Sequence, residues 1–151
     1  MDELISDEGI ALAYETATSM FMRGAASRSL GMAIQEMAPG LARVSMTVRT
    51  DMLNSNQTCH GGFLFTLADS AFAFACNSRN QNTVSSSCSI DYLAPAFAGD
   101  ILTATAIERS RARKTGVYDV SVCNQDDIQI ALFRGNSYQI RGTVVTRMEV
   151  D

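Results

Sequence analysis

A chain of 151 residues, 46% apolar and 19% charged, holds enough apolar material for one domain around one core. Its net charge of −4 supplies no large basic field, so neither nucleic acid nor an anionic membrane is an expected partner. A single histidine, His60, argues against a His-rich metal site within one chain.

The chain opens on acidic residues, MDELISDEGI, with no basic segment leading into an apolar one, so no secretion signal is expected. Over 8–23 the apolar positions Ile10, Ala13, Tyr14, Ala17 and Met20–Phe21 recur at helical spacing, and Gly24 can end that helix. Ser27 to Leu30 adds a short turn. A strand is expected at 32–38, a turn at Ala38-Pro39-Gly40 and a return strand at 41–49, together a hairpin. Residues 50–60 are polar and irregular.

Gly61-Gly62 then opens FLFTLADSAFAFACNS, which is apolar nearly all round. Its Ala and Leu content favours helix, and such a helix must be buried. The run from Phe63 to Cys76 is too short to span a bilayer and contains Asp69. Beyond Asn82 the pattern changes to strand. In 83–93, Val84, Cys88, Ile90 and Tyr92 share one parity, and Ser85, Ser87, Ser89 and Asp91 the other. Pro95 and Gly99 break the run. Strands follow at about 100–112, 115–124 and 128–140, joined by turns at Arg113-Lys114 and Gln125–Asp127. The expected class is α+β, an antiparallel sheet wrapped around one long buried helix, because a curved sheet covers so apolar a helix. We divide the chain into an N-terminal helical extension (1–30), the main domain (31–142) and a C-terminal tail (143–151).

Asp69 is the only charged residue between Gly61 and Ser78. An unpaired buried carboxylate costs several kcal/mol or takes up a proton, so it needs a compensating partner or a task. The structural alternative is an Asp that caps a loop or pairs with an Arg. The loop ahead of the helix supplies Asn54, His60, Gly61 and Gly62. Glycines at a helix N-terminus leave N–H groups open at the positive end of the dipole, which suits an oxyanion or a polarised carbonyl. His60 is a candidate catalytic base; the alternatives are a tight turn for the glycines and loop bracing for Asn54 and His60, and bracing is the favoured role of His60. Gly61 and Asp69 are eight residues apart, about 12 Å along one helix axis. One carbonyl cannot touch both in the same chain. Two antiparallel copies of the helix would bring Gly61 of one near Asp69 of the other.

Other chemistries fit poorly. No GxSxG elbow, Walker A or dinucleotide fingerprint is present. Cys59 and His60 are neighbours in sequence, which does not place them face to face as a nucleophile pair. The four cysteines (Cys59, Cys76, Cys88, Cys123) lack CxxC spacing and are expected to be reduced thiols in a cytoplasmic protein. Arg109, Arg111, Arg113 and Lys114 cluster at a strand end and turn. They are either a solvated hairpin tip or, as a group, a seat for phosphates, with Arg134 as a further candidate.

The segment Asn54-Ser55-Asn56-Gln57-Thr58-Cys59-His60-Gly61-Gly62, with Phe65, Leu67-Ala68-Asp69 and Ala75-Cys76-Asn77-Ser78, resembles the phenylacetic-acid-pathway thioesterase (PaaI) family of hotdog proteins. Ile90-Asp91-Tyr92-Leu93, Phe97-Ala98-Gly99-Asp100, Lys114–Asp119 and Ala131–Gly135 add to the resemblance, which covers about residues 30–142. It implies a hotdog fold, a dimer whose sheets join, and usually a tetramer of two dimers. It also implies hydrolysis of an aryl-acyl-CoA, such as phenylacetyl-CoA or a ring-hydroxylated relative, with no cofactor beyond the CoA of the substrate. By resemblance Asp69 is the working carboxylate, acting as general base or as nucleophile through an anhydride. The Gly61 N–H polarises the thioester carbonyl, and Asn54 sits near the attacking water. Ser85, Ser86 or Ser87 matches a family serine or threonine, with Ser85 the nearest. His60 belongs to the same loop as a catalytic candidate, Gly62 and Ser85 are expected to bind substrate, and Arg111, Lys114 and Arg134 would hold the CoA nucleotide. Phe63, Phe65, Phe72 and Phe74 either line an aromatic pocket or fill the core. A hotdog hydratase or dehydratase, and a non-catalytic acyl-CoA sensor, are the competing readings.

Overall fold

The computed structural model describes residues 5–147. Helix α1 (Asp7–Arg23) begins where the Ser6 hydroxyl accepts the Gly9 N–H, with Asp7 and Glu8 at the positive end of the helix dipole. A short α2 (Ala25–Ser29) follows. Strands β1 (Ala33–Ala38) and β2 (Leu41–Thr47) form the expected hairpin, turning at Gly40 with φ +75°. The buried Ser78 hydroxyl accepts the Gly40 N–H and donates to the Ala75 carbonyl, tying this turn to the end of the central helix. That helix, α3, spans Gly61–Cys76. Then come β3 (Thr83–Tyr92), β4 (Ile101–Arg111), β5 (Thr115–Cys123) and β6 (Gln129–Gln139).

The six strands form one antiparallel sheet in the order β1-β2-β4-β5-β6-β3. Helix α3 packs against β2, β4, β5, β6 and β3. This is the hotdog arrangement. Alternation decides which face receives the helix: Ala42, Ala106, Val120 and Phe133 lie in one cross-strand row and are buried. Alanines at Ala42, Ala104 and Ala106 keep the middle of the sheet shallow, so α3 can settle onto it with Leu64, Leu67, Ala71, Phe72 and Phe74. Each large side chain of that set gains about 2 kcal/mol on leaving water.

One sequence expectation fails in β3. A bulge between Ser85 and Ser87 leaves Ser86 without a partner, so residues before and after it count faces differently. Ser85 pairs with the inward Ser137, and Cys88 with the inward Gly135. Val84 pairs with Tyr138 and is exposed, so it does not share the face of Cys88, Ile90 and Tyr92. Beyond β6, Val145 exchanges hydrogen bonds with the Asn80 side chain, and Arg147 pairs with Glu15 of α1. The ends of the predicted extension and tail, residues 1–4 and 148–151, lie outside the described residues.

Candidate active site

Asp69 is half-buried on the face of α3 that looks toward β3. Its position there follows from two close fits. Gly135 of β6 presents no side chain, and the Phe72 ring, one turn from Asp69, lies where a Cβ would be, 2.8 Å away. Asn77 caps the end of α3 and also donates to the Thr83 carbonyl while accepting the Thr83 N–H, which fixes the start of β3 against the helix. Cys88 of β3 then reaches Asp69, with its Sγ 3.9 Å from Oδ1. Burial raises the Asp69 carboxyl above the usual carboxylate range, and the Cys88 hydrogen bond partly opposes this. Among the described residues no cation pairs with Asp69.

At the other end of α3 the loop is held by its own polar groups. The Asn54 side-chain oxygen accepts the Asn56 and Thr58 N–H groups, and its Nδ2 donates to the Thr58 hydroxyl. His60 is the N-cap, and its Nδ1 accepts the Gly62 N–H at 2.9 Å. Asn54 and His60 therefore both brace the loop. The Gly62 N–H, expected to serve a substrate, is already occupied by His60. The Gly61 N–H meets no acceptor among the described residues and sits at the positive end of α3. Asn54 and Gly61 line one cleft of about 490 Å³ together with Tyr92 and Leu93. Tyr92, which the sequence reading did not single out, donates from its hydroxyl to the Gly61 carbonyl at 3.0 Å. The inward parity it shares with Cys88 and Ile90 was the available signal.

The serine run resolves by face. The Ser86 hydroxyl donates to the Asn136 carbonyl, and the Ser87 hydroxyl accepts from Asn136 Nδ2. Ser85, paired with the inward Ser137, takes the same face as Cys88. The cations divide as well. Arg111 and Lys114 line a polar cleft of about 400 Å³ with Arg79, Arg113 and Cys76, next to the C-terminal end of α3. Glu108 accepts from both Arg79 and Arg111, and among the described residues lining the cleft the cations outnumber it. Arg134 is elsewhere. It grips Asp119 through two hydrogen bonds on the outer face of the sheet, with Arg109 on the same carboxylate. These contacts hold the Asp119 carboxyl below its usual range. Phe133 points inward, so its neighbour Arg134 must point outward. Phe72 and Phe74 are buried, and the Phe72 ring meets Tyr118 and Phe133, a core role. Cys59 is buried and its thiol is pushed up to about 11, a poor nucleophile. No helix among the described residues is long and apolar enough to cross a membrane.

Comparison with known proteins shows the family. The thioesterase superfamily model matches residues 56–131. The chain belongs to the thioesterase superfamily and is a hotdog enzyme of the thioester-hydrolysing class. It is 51% identical to acyl-coenzyme A thioesterase PaaI of Escherichia coli K12 over 132 residues, covering 87% of this chain and 94% of that one. The structure of the E. coli PaaI protein from the phenylacetic acid degradation operon superimposes with a TM-score of 0.88 at 50% identity, covering 89% and 97% of the two chains. A hypothetical thioesterase of Streptococcus pneumoniae solved with coenzyme A matches at 28% identity and a TM-score of 0.71, over 75% and 90% of the chains.

Proposed function

We propose that this enzyme hydrolyses aryl-acyl-CoA thioesters to the free acid and CoA, and that each site is shared between two copies of the chain. The observation that carries the reading is Asp69, half-buried on an otherwise uncharged helix with no cation among the described residues to neutralise it. The Gly61 N–H of one copy polarises the thioester carbonyl, helped by the helix dipole. Asp69 of the other copy either takes a proton from the attacking water or attacks the carbonyl itself to form an anhydride. β3 ends the strand order, and this free edge supports a pairing of two sheets there. A tetramer of two such dimers completes the assembly. The aryl preference, phenylacetyl-CoA or a ring-hydroxylated relative, rests on kinship with E. coli PaaI. The scheme draws only on side chains, backbone and the CoA of the substrate.

Sharing of the site has a direct test. Gly61→Pro removes the N–H, and His60 at ψ 134° already has the backbone that a following proline prefers, while the new Cβ would lie 2.9 Å from the Tyr92 ring and push that side chain aside. Gly61→Pro and Asp69→Asn should each be inactive alone. Co-expressed in equal amounts, they should recover roughly a quarter of wild-type turnover, because half the dimers are mixed and each mixed dimer has one intact site of two. Recovery of nothing from mixed dimers in which the Gly61→Pro chain is folded would rule out the shared site.

For the nucleotide we propose the basic cleft of Arg79, Arg111, Arg113 and Lys114, where the phosphates would meet several cations at once. Arg113→Gln with Lys114→Gln should raise KM for an acyl-CoA on the order of tenfold with little change in kcat. The same variant should leave KM for the matching acyl-pantetheine, which lacks the nucleotide, unchanged. Arg134→Gln, on the outer face, should leave both values alone. An acyl-CoA KM indifferent to the double change would move the nucleotide elsewhere.

A further inference from the structure

The geometry points to Cys88 as a positioning residue for Asp69, its thiol holding one carboxylate oxygen by a hydrogen bond so that the other stays turned to the reacting groups. This inference rests on the catalytic reading of Asp69. The Cys88 Sγ lies 3.9 Å from Asp69 Oδ1, within reach of an S–H donor. Of the four cysteines, Cys88 alone hydrogen-bonds to a carboxylate. Cys59 turns to the His60 carbonyl, Cys76 to the Ala73 carbonyl and Cys123 to the Ser121 hydroxyl.

Three features make this contact a built one. Cys88 pairs in register with Gly135, the glycine that receives Phe72. The close approach that seats the helix on the sheet therefore also sets the distance between the thiol and the carboxylate. Next, the bulge at Ser86 is taken up so that Cys88 keeps the face that looks toward the helix, with Ser85 on that same face. Finally, nothing else competes for Asp69. Cys76 on α3 and Cys88 on β3 are the titratable groups that interact with it among the described residues, and both are neutral thiols whose own ionisation is disfavoured by burial. A carboxylate surrounded by thiols and apolar side chains has few ways to fix its orientation. A weak, uncharged donor fixes it while leaving it basic, whereas a cation would quench it.

The test compares the wild-type chain with Cys88→Val and Asp69→Asn. Valine is β-branched, suits a strand, fills the thiol's space and donates nothing. The Asp69 carboxyl is followed by carbon-13 NMR, its signal assigned by its loss in Asp69→Asn. In Cys88→Val its titration midpoint should rise by about half a unit to one unit, the effect of losing one hydrogen bond to the charged form. The acid limb of kcat/KM for thiol release should rise with it. An unmoved midpoint overturns the inference. A midpoint that moves while the acid limb stays put also overturns it, since the contact then has no catalytic consequence. The infrared S–H band gives a second readout that needs no change at Cys88. One thiol band should move to lower frequency as Asp69 ionises and should show no such response in Asp69→Asn. If no thiol band responds to that ionisation, the hydrogen bond does not exist, even where Cys88→Val fails to fold. Turnover that survives Asp69→Asn overturns the reading of Asp69 itself and is distinguishable from each of these outcomes.

Discussion

Asp69→Asn should lower kcat for acyl-CoA hydrolysis by about 10²- to 10⁴-fold with little change in KM, as read by thiol release over a panel of acyl-CoA esters. Asparagine keeps the shape of the side chain but can neither accept a proton at neutral pH nor form an anhydride. Brisk release in this variant would end the Asp69 mechanism for either chemical route. No release from any ester by the wild-type chain, with tight binding intact, would favour a sensor. Single-turnover hydrolysis in oxygen-18 water separates the two routes, since label entering the Asp69 carboxyl marks direct attack.

The same substitution should also act on stability, with the opposite benefit. Burial raises the Asp69 pKa in the folded chain above its value of 3.8 in an unfolded one. Between those two values the folded state binds more protons than the unfolded state, so stability falls as pH rises through that window. Above the folded pKa the penalty is complete and remains at neutral pH. Asp69→Asn carries no such penalty, so its thermal midpoint at pH 7 should equal or exceed that of the wild type. At a pH below both pKa values the difference should vanish. Activity runs the other way: hydrolysis needs the ionised form and should fall as pH drops through the raised pKa. A functional group held at a cost to folding is expected of an active site, whereas a purely structural Asp69 would lose stability on replacement.

The largest structural effect is expected at Phe72. Its side chain is 1% exposed. One edge meets Tyr118 at a centroid distance of 5.5 Å, another side meets Phe133 at 5.9 Å, and the ring covers Gly135. Phe72→Ala removes the transfer energy of the ring and leaves a cavity between helix and sheet, where β4 to β6 hold their positions through ladder hydrogen bonds and relax little. The expected loss is about 3–5 kcal/mol, measured by denaturant unfolding. Gly135→Ala should be destabilising from the other side, since its methyl group would enter the space of the Phe72 ring. Because Asp69 is one helical turn from Phe72, surviving folded enzyme should also turn over more slowly.

Much of this was legible before folding. The glycine pair and the Ala-rich run placed α3 at Gly61–Cys76, and period-two runs bounded by Pro95, Gly99 and short turns placed β3 to β6 to within a residue or two. Asp69 was legible because a lone charge in an apolar helix violates the pattern around it. What was hidden depended on partners distant in sequence. The bulge at Ser86 is a property of the β3–β6 pair, and no count along β3 alone reveals it. The contact of Cys88 with Asp69 and the entry of Arg79 into the basic cleft are products of packing. The separation of Arg134 from Lys114 could have been read, because Phe133 commits Arg134 to the opposite face. Position in the chain grouped these cations, and the pleat of the strand divided them.

The bulge also bears on how residues are matched between related chains. Which face a β3 residue takes is set by its cross-strand partner on β6, and not by its distance from Asp69 along the backbone. An extra residue at Ser86 is absorbed without turning Ser85 or Cys88 away. Relatives that differ in length between α3 and β3 should therefore keep the same side chains at the site under different offsets. Alignment by strand face will find them where alignment by counting will not.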